Sequence, residues 1–191
     1  MLTLYKSMVR SLLEYCCPLW HPFRISDIQE LESVQKAFTA RITGMRDIHY
    51  WDRLQRLSLM SLQRRRERFL LLHMWKILYL HTSNDINVQF VSRPRLGNLA
   101  IIPSACKSST TANQSLYDSS FAVIGPKLWN AMPYYLNSIS DQDLFKWQLT
   151  KFILSLPDTP PIRGYTPQNS NSLLCWRNDR EVSSLWGGRT M

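Results

Sequence analysis

Apolar residues recur at helical spacing along most of this chain. Leu4, Met8 and Leu12 form one line with Tyr5, Val9 and Leu13 beside it, which predicts a first helix ended by Pro18 and Pro22. Ser26, three residues before Gln29, has the form of a capping box. Ile28, Leu31, Val34, Phe38 and Ile42 follow at helical spacing up to Gly44, predicting a second helix with Leu31 and Phe38 in the core. A short third helix is expected from about His49 to Leu57, and a fourth, the longest, from about Ser61 to Leu80. Residues 84–116 change character: Val88 and Phe90 alternate with polar neighbours, Pro94 and Pro103 interrupt, and Ser108 to Ser115 is polar, so short strands and a flexible loop are expected. Helical pattern returns over Ser119 to Ala131, with a break expected at Gly125-Pro126. It returns again over Asp141 to Leu156, where Ser140 is the expected cap and Leu144, Phe145, Trp147, Leu149, Phe152 and Ile153 supply a broad apolar face. From Pro157 onward the chain is rich in Pro, Asn, Ser and Gly.

The expected fold is therefore mostly α, a helical bundle with one or two short strands and a disordered C-terminal tail. Its expected divisions are a basic helical region (1–82), strands and loop (83–117), C-terminal helices (118–156) and tail (157–191). A chain of 191 residues has enough apolar side chains for a core. His73 and Lys76 interrupt the longest apolar run, so no membrane span and no membrane partner are expected. Lys6 and Arg10 interrupt the apolar N-terminus, which does not read as a signal peptide. A cytoplasmic or nuclear location is therefore expected, with Cys16, Cys17, Cys106 and Cys175 reduced.

Charge is distributed unevenly. The formal net charge is +9, and residues 36–76 carry 10 Lys+Arg against 3 Asp+Glu, a local net of +7. Arg64, Arg65, Arg66 and Arg68 stand at the start of the fourth helix. Arginine stays protonated near neutral pH, so the block is permanently positive. Arg64, Arg65 and Arg68 share one arc of a helix, whereas Arg66 points toward the line of Leu62, Phe69 and His73. The arc suits a row of phosphates, and Arg66 suits a structural pair with Glu14 or Glu32. A solvated helix face explains the same run equally simply.

Catalytic chemistry is hard to find. There is no Gly-rich phosphate loop, no Gly-x-Ser-x-Gly elbow and no His-Glu-x-x-His. Asp141 and Asp143 stand at a helix N-terminus, where acids are favoured anyway. Cys16 or Cys17 with His21 makes half a zinc site at best, without a second local pair. No metal or cofactor is expected.

Five blocks, taken in order, resemble the region that follows the polymerase core in non-LTR retrotransposon reverse transcriptases of the jockey-like and chicken-repeat-like kinds. They are Leu13-Glu14-Tyr15-Cys16-Cys17-Pro18-Leu19-Trp20, then Leu31-Glu32-Ser33-Val34-Gln35, then Tyr50-Trp51-Asp52-Arg53-Leu54-Gln55-Arg56-Leu57 with Leu59, Ser61-Leu62 and Arg64-Arg65. Lys76-Ile77-Leu78 and Trp129-Asn130-Ala131-Met132-Pro133 complete the series, which spans about residues 4–156. The resemblance implies a thumb-like region and tail that grip template and primer. The paired palm aspartates of such polymerases have no counterpart, because the sequence contains no Asp-Asp pair. The chain is then expected to be a truncated remnant that is not an enzyme. It is expected to bind RNA, DNA or an RNA–DNA hybrid without sequence preference, with a missing polymerase domain as a further partner. Arg53, Arg56, Arg64, Arg65 and Arg68 are the expected phosphate contacts and Tyr50 the expected stacking surface, while Trp51 is expected rather to pack between the second and fourth helices. A helical protein-interaction domain, or a relic without function, is the alternative.

Overall fold

The computed structural model describes residues 2–22, 24–80, 89–93, 98–102, 111–167 and 170–175. The chain opens on a helical stretch, α1 (Leu2–Leu4), a π-helical turn (Tyr5–Val9) and α2 (Arg10–Glu14). Next come α3 (Ile25–Ala40), α4 (Tyr50–Arg56) and the long α5 (Leu62–Tyr79). A hairpin of β1 (Gln89–Arg93) and β2 (Asn98–Ile102) pairs antiparallel, with Val91 opposite Ala100. The last helices are α6 (Thr111–Asp118), α7 (Phe121–Ala131), α8 (Tyr134–Asn137) and α9 (Gln142–Leu154). The fold is mostly helical, as the periodicity predicts.

The main core lies where α5 meets α7, α8 and α9. Leu70, Leu71, Met74 and Trp75 of α5 pack with Leu128 and Trp129 of α7, Leu136 of α8, and Phe145, Leu149 and Ile153 of α9. Phe145 stacks on Trp75, ring centroids 5.9 Å apart. Asn130 docks the hairpin on α7 by accepting from the Ile101 amide (2.9 Å) and donating to its carbonyl (2.6 Å). A smaller cluster gathers Tyr50, Leu54, Leu59 and Ile162.

Several elements depart from the pattern. Ser61 does cap α5, accepting from the Arg64 amide at 3.1 Å, but Asp141 rather than Ser140 caps α9. At the start of α3, Arg24 holds the cap position without a side-chain bond, and the Ser26 hydroxyl turns to Asp27, so the capping box does not form. Gly125 and Pro126 sit inside a continuous α7. Both are buried, with Val123 and Leu128 on either side, and core packing overrides the weak local propensity. The polar stretch expected as loop up to residue 116 includes α6. Val88 lies outside the described residues, as do Pro94 and Pro103.

The buried face of α3 is turned about one residue from the apolar spacing. It consists of Ile28, Glu32, Gln35 and Thr39, while Leu31 and Phe38 are half-buried. Three polar side chains occupy it: Thr39 donates back to the Gln35 carbonyl of its own helix at 2.9 Å, and partners from elsewhere satisfy Glu32 and Gln35. The Tyr5 hydroxyl donates to Gln35 (2.8 Å), and Gln35 donates to Tyr50 (3.2 Å) and to the Met60 carbonyl (3.1 Å). The Tyr50 hydroxyl and the Gln63 amide both donate to Glu32, at 2.6 and 2.8 Å.

The tail differs most from expectation. Residues 157–167 and 170–175 lie against α4 and α5 instead of being disordered, burying Ile162, Asn171 and Leu173. The Ser61 amide donates to Asp158 at 2.7 Å, and the Leu173 amide donates to Glu67 at 2.9 Å. Polar composition hides a segment held by buried hydrogen bonds rather than by a run of apolar residues. Residues 176–191 lie outside the described residues.

Candidate nucleic-acid interface

The arginine block is on α5, and the tail covers much of that helix. Arg64 is wholly buried. It donates to the Pro157 carbonyl (3.0 Å), stands 4.0 Å from Asp158, and gains further charge compensation from Glu67. Arg66 is also buried. Its guanidinium donates to the carbonyls of Leu13 and Trp20 and stacks 3.7 Å from the centre of the Trp20 ring. The helical arc assigns Arg66 correctly to the inside, but its partners are main-chain carbonyls and an indole, not Glu14 or Glu32. Glu14 pairs instead with Arg65, whose Nη2 donates at 2.9 Å, and with Arg10 at 3.8 Å. Arg68 is half-buried and donates to Thr150 of α9 at 3.0 Å.

The expected contacts on α5 are corrected in two respects. Arg64 is not on a solvent face, because the tail expected to be disordered closes over it. Arg65 and Arg68 retain some exposure, but an acid and a hydroxyl already hold them. Burial lowers the pKa of Arg64, Arg66 and Arg68 from the ordinary arginine value.

Helix α4 turns its expected contacts inward in the same way. Tyr50 is buried and hydrogen-bonded to Glu32, so its ring is closed to a base. Trp51 donates to the Pro160 carbonyl (3.1 Å) and packs edge-on against His49 and Tyr165, which makes it a packing residue. Arg53 is buried over the Tyr50 ring, 5.7 Å from its centre. Arg56 alone of the expected contacts is fully on the surface.

Two further exposed cations precede Arg56 closely in sequence. Arg41 closes α3, Arg46 lies in the connection to α4, and Arg56 ends α4. All three are exposed, and none joins an ion pair among the described residues. Lys36 is half-buried one turn earlier on α3, and Asp47 and Asp52 are the acids of the same stretch. Sequence reading missed Arg41 and Arg46 because they stand singly, with no run to mark them.

Metal chemistry gains no support from geometry: no group of three or more His, Cys, Asp or Glu side chains able to hold an ion occurs among the described residues. Cys17 is buried, and burial raises its thiol pKa. No helix among the described residues is long and apolar enough to cross a membrane. Comparison with family models, with characterised proteins and with solved structures returns no match to this chain.

Proposed function

We propose that this chain is a non-catalytic nucleic-acid-binding domain, a remnant similar to the region that follows the palm in non-LTR retrotransposon reverse transcriptases. The observation that carries the binding claim is the set Arg41, Arg46 and Arg56, three exposed cations within sixteen positions, outside every ion pair among the described residues. Such charges release counterions when they meet phosphates, and phosphate contacts position a partner without reading sequence. Arg64, Arg65, Arg66 and Arg68 take a structural part, tying α5 to the N-terminal turn, to α9 and to the tail. The ordered blocks around Tyr15, Leu31, Tyr50, Lys76 and Trp129 support the family likeness.

The apolar surface of the N-terminal helices favours a protein partner as well. Leu4, Met8 and Leu12, with Tyr15 just past the end of α2, are all more than 60% exposed. On the same reading, this surface belongs against a polymerase domain.

The test is binding of the purified chain to labelled RNA–DNA hybrids of two unrelated sequences over a range of salt. The proposal expects a linear fall of log affinity with log salt, of equal slope for both. Absence of binding at low salt, or a strong preference for one sequence, refutes it and leaves the protein-interaction reading.

A further inference from the structure

Beside the turn that carries Trp20 lies a groove of about 550 Å³, bounded by α3 and by the corner between α6 and α7. Leu19, Trp20, Leu31 and Leu116 form its apolar walls. Leu19 and Leu116 are 85% and 61% exposed, an unusual density of apolar surface in so small a region. Trp20 is held rigidly: its indole N–H donates to the Tyr15 carbonyl at 2.8 Å and Arg66 stacks on its ring. A preorganised aromatic wall loses little freedom on binding.

Two buried polar atoms line the same groove without partners. His21 Nδ1 and Ser120 Oγ are both buried and make no hydrogen bond. Ser120 stands at the cap of α7 yet makes no capping bond. Native proteins rarely leave such groups unsatisfied, and an incoming amide supplies both the donor and the acceptor they lack. The charge of the groove is distinctive. The chain as a whole is strongly basic, but the charged residues lining this groove are two carboxylates, Asp27 and Glu30, and include no Lys or Arg. Glu30 shares its charge with Arg163, and Asp27 accepts from the Ser26 hydroxyl. Asp27, outside every ion pair among the described residues, is the carboxylate that favours a cation here.

We propose that this groove binds a peptide segment that presents a bulky apolar side chain next to lysine or arginine. The apolar side chain lies between Trp20 and Leu116, the peptide group meets His21 and Ser120, and the basic residue faces Asp27 and Glu30. This inference stands apart from the nucleic-acid reading, since it uses a different face and the opposite charge.

The probe is the hexapeptide Ac-Lys-Ala-Leu-Trp-Ala-Lys-amide, with a counterpart carrying Glu in place of Lys, each titrated into the ¹⁵N-labelled full chain. Saturable shifts are expected at the amides of His21, Leu31 and Ser120, with affinity about five-fold weaker for the Glu peptide and for the Asp27→Asn/Glu30→Gln variant. Leu116→Ser, on an exposed site of a different helix, is expected to weaken binding as well while keeping the parent's melting temperature. Absence of saturable shifts, shifts confined to another face, or equal affinity for the two peptides overturns the proposal.

Discussion

Arg64 and Arg66 show how little a run of charge says about its own surroundings. Their compensation arrives from Leu13, Trp20, Pro157 and Asp158, all distant in sequence, so that two arginines of a charged run become interior fastenings. Removing one of them strands carbonyls and opens a packed indole. Arg66→Ala is expected to cost about 2–4 kcal/mol in chemical denaturation, whereas Arg56→Ala on the surface stays within about 0.5 kcal/mol. Equal effects of the two contradict the structural assignment. Buried acids add a pH dependence. Burial raises Glu32 from 4.5 to about 8 and Glu67 from 4.5 to about 7. The native state therefore holds protons that the unfolded chain has released, and stability falls as pH rises from 4.5 through those values. His21, pushed from 6.5 down to about 4 by burial and by Arg66, acts oppositely, but only below 6.5. Between pH 6.5 and 8 the glutamates act alone, and unfolding free energy is expected to drop by on the order of 1–2 kcal/mol. Glu32→Gln should shrink that drop; a stability that rises over this interval contradicts the burial of the two acids.

Helices were legible where one apolar face met one core. In α9, Phe145, Leu149 and Ile153 are buried as their spacing predicts, while Leu144 and Trp147 of the same expected face are exposed, and in α5 the Ser61 cap marks the true start. They were less legible where polar groups are satisfied at long range. The inner face of α3 contains Glu32 and Gln35 because Tyr5, Tyr50 and Gln63 come to meet them, and Thr39 because its hydroxyl returns to the helix's own carbonyls; no periodicity of apolar residues reports that. α7 hides differently: Gly125 allows the Phe121 ring to within 2.9 Å of where a Cβ would stand, so a residue read as a breaker makes room for packing. These assignments predict unequal costs. Phe145→Ala, in contact with Trp75 and Trp129, is expected to lose about 3–5 kcal/mol. Phe38→Ala removes a half-buried ring stacked on Tyr5 at 4.4 Å and is expected to lose less than half as much. Comparable losses in urea denaturation contradict the burial of the α3 face.

Across the whole molecule, folding redistributes the charge that the sequence concentrates in one segment. Glu14 from α2 and Asp158 from the tail reach the arginines of α5, while Arg41, Arg46 and Arg56 stay exposed and outside the ion pairs among the described residues. The candidate site was thus legible in its sign and its neighbourhood, through Arg56, but not in its members, because exposure depends on a tail whose polar composition conceals its packing. The central claim is that phosphates meet Arg41, Arg46 and Arg56 and not the buried block. Its most direct test is a salt titration of RNA–DNA hybrid binding by the Arg41→Gln/Arg46→Gln/Arg56→Gln variant beside the parent, both below their melting temperatures. The account predicts an unchanged melting temperature and a slope of log affinity against log salt shallower by about 2–3 units. A triple variant that keeps the parent's slope contradicts it.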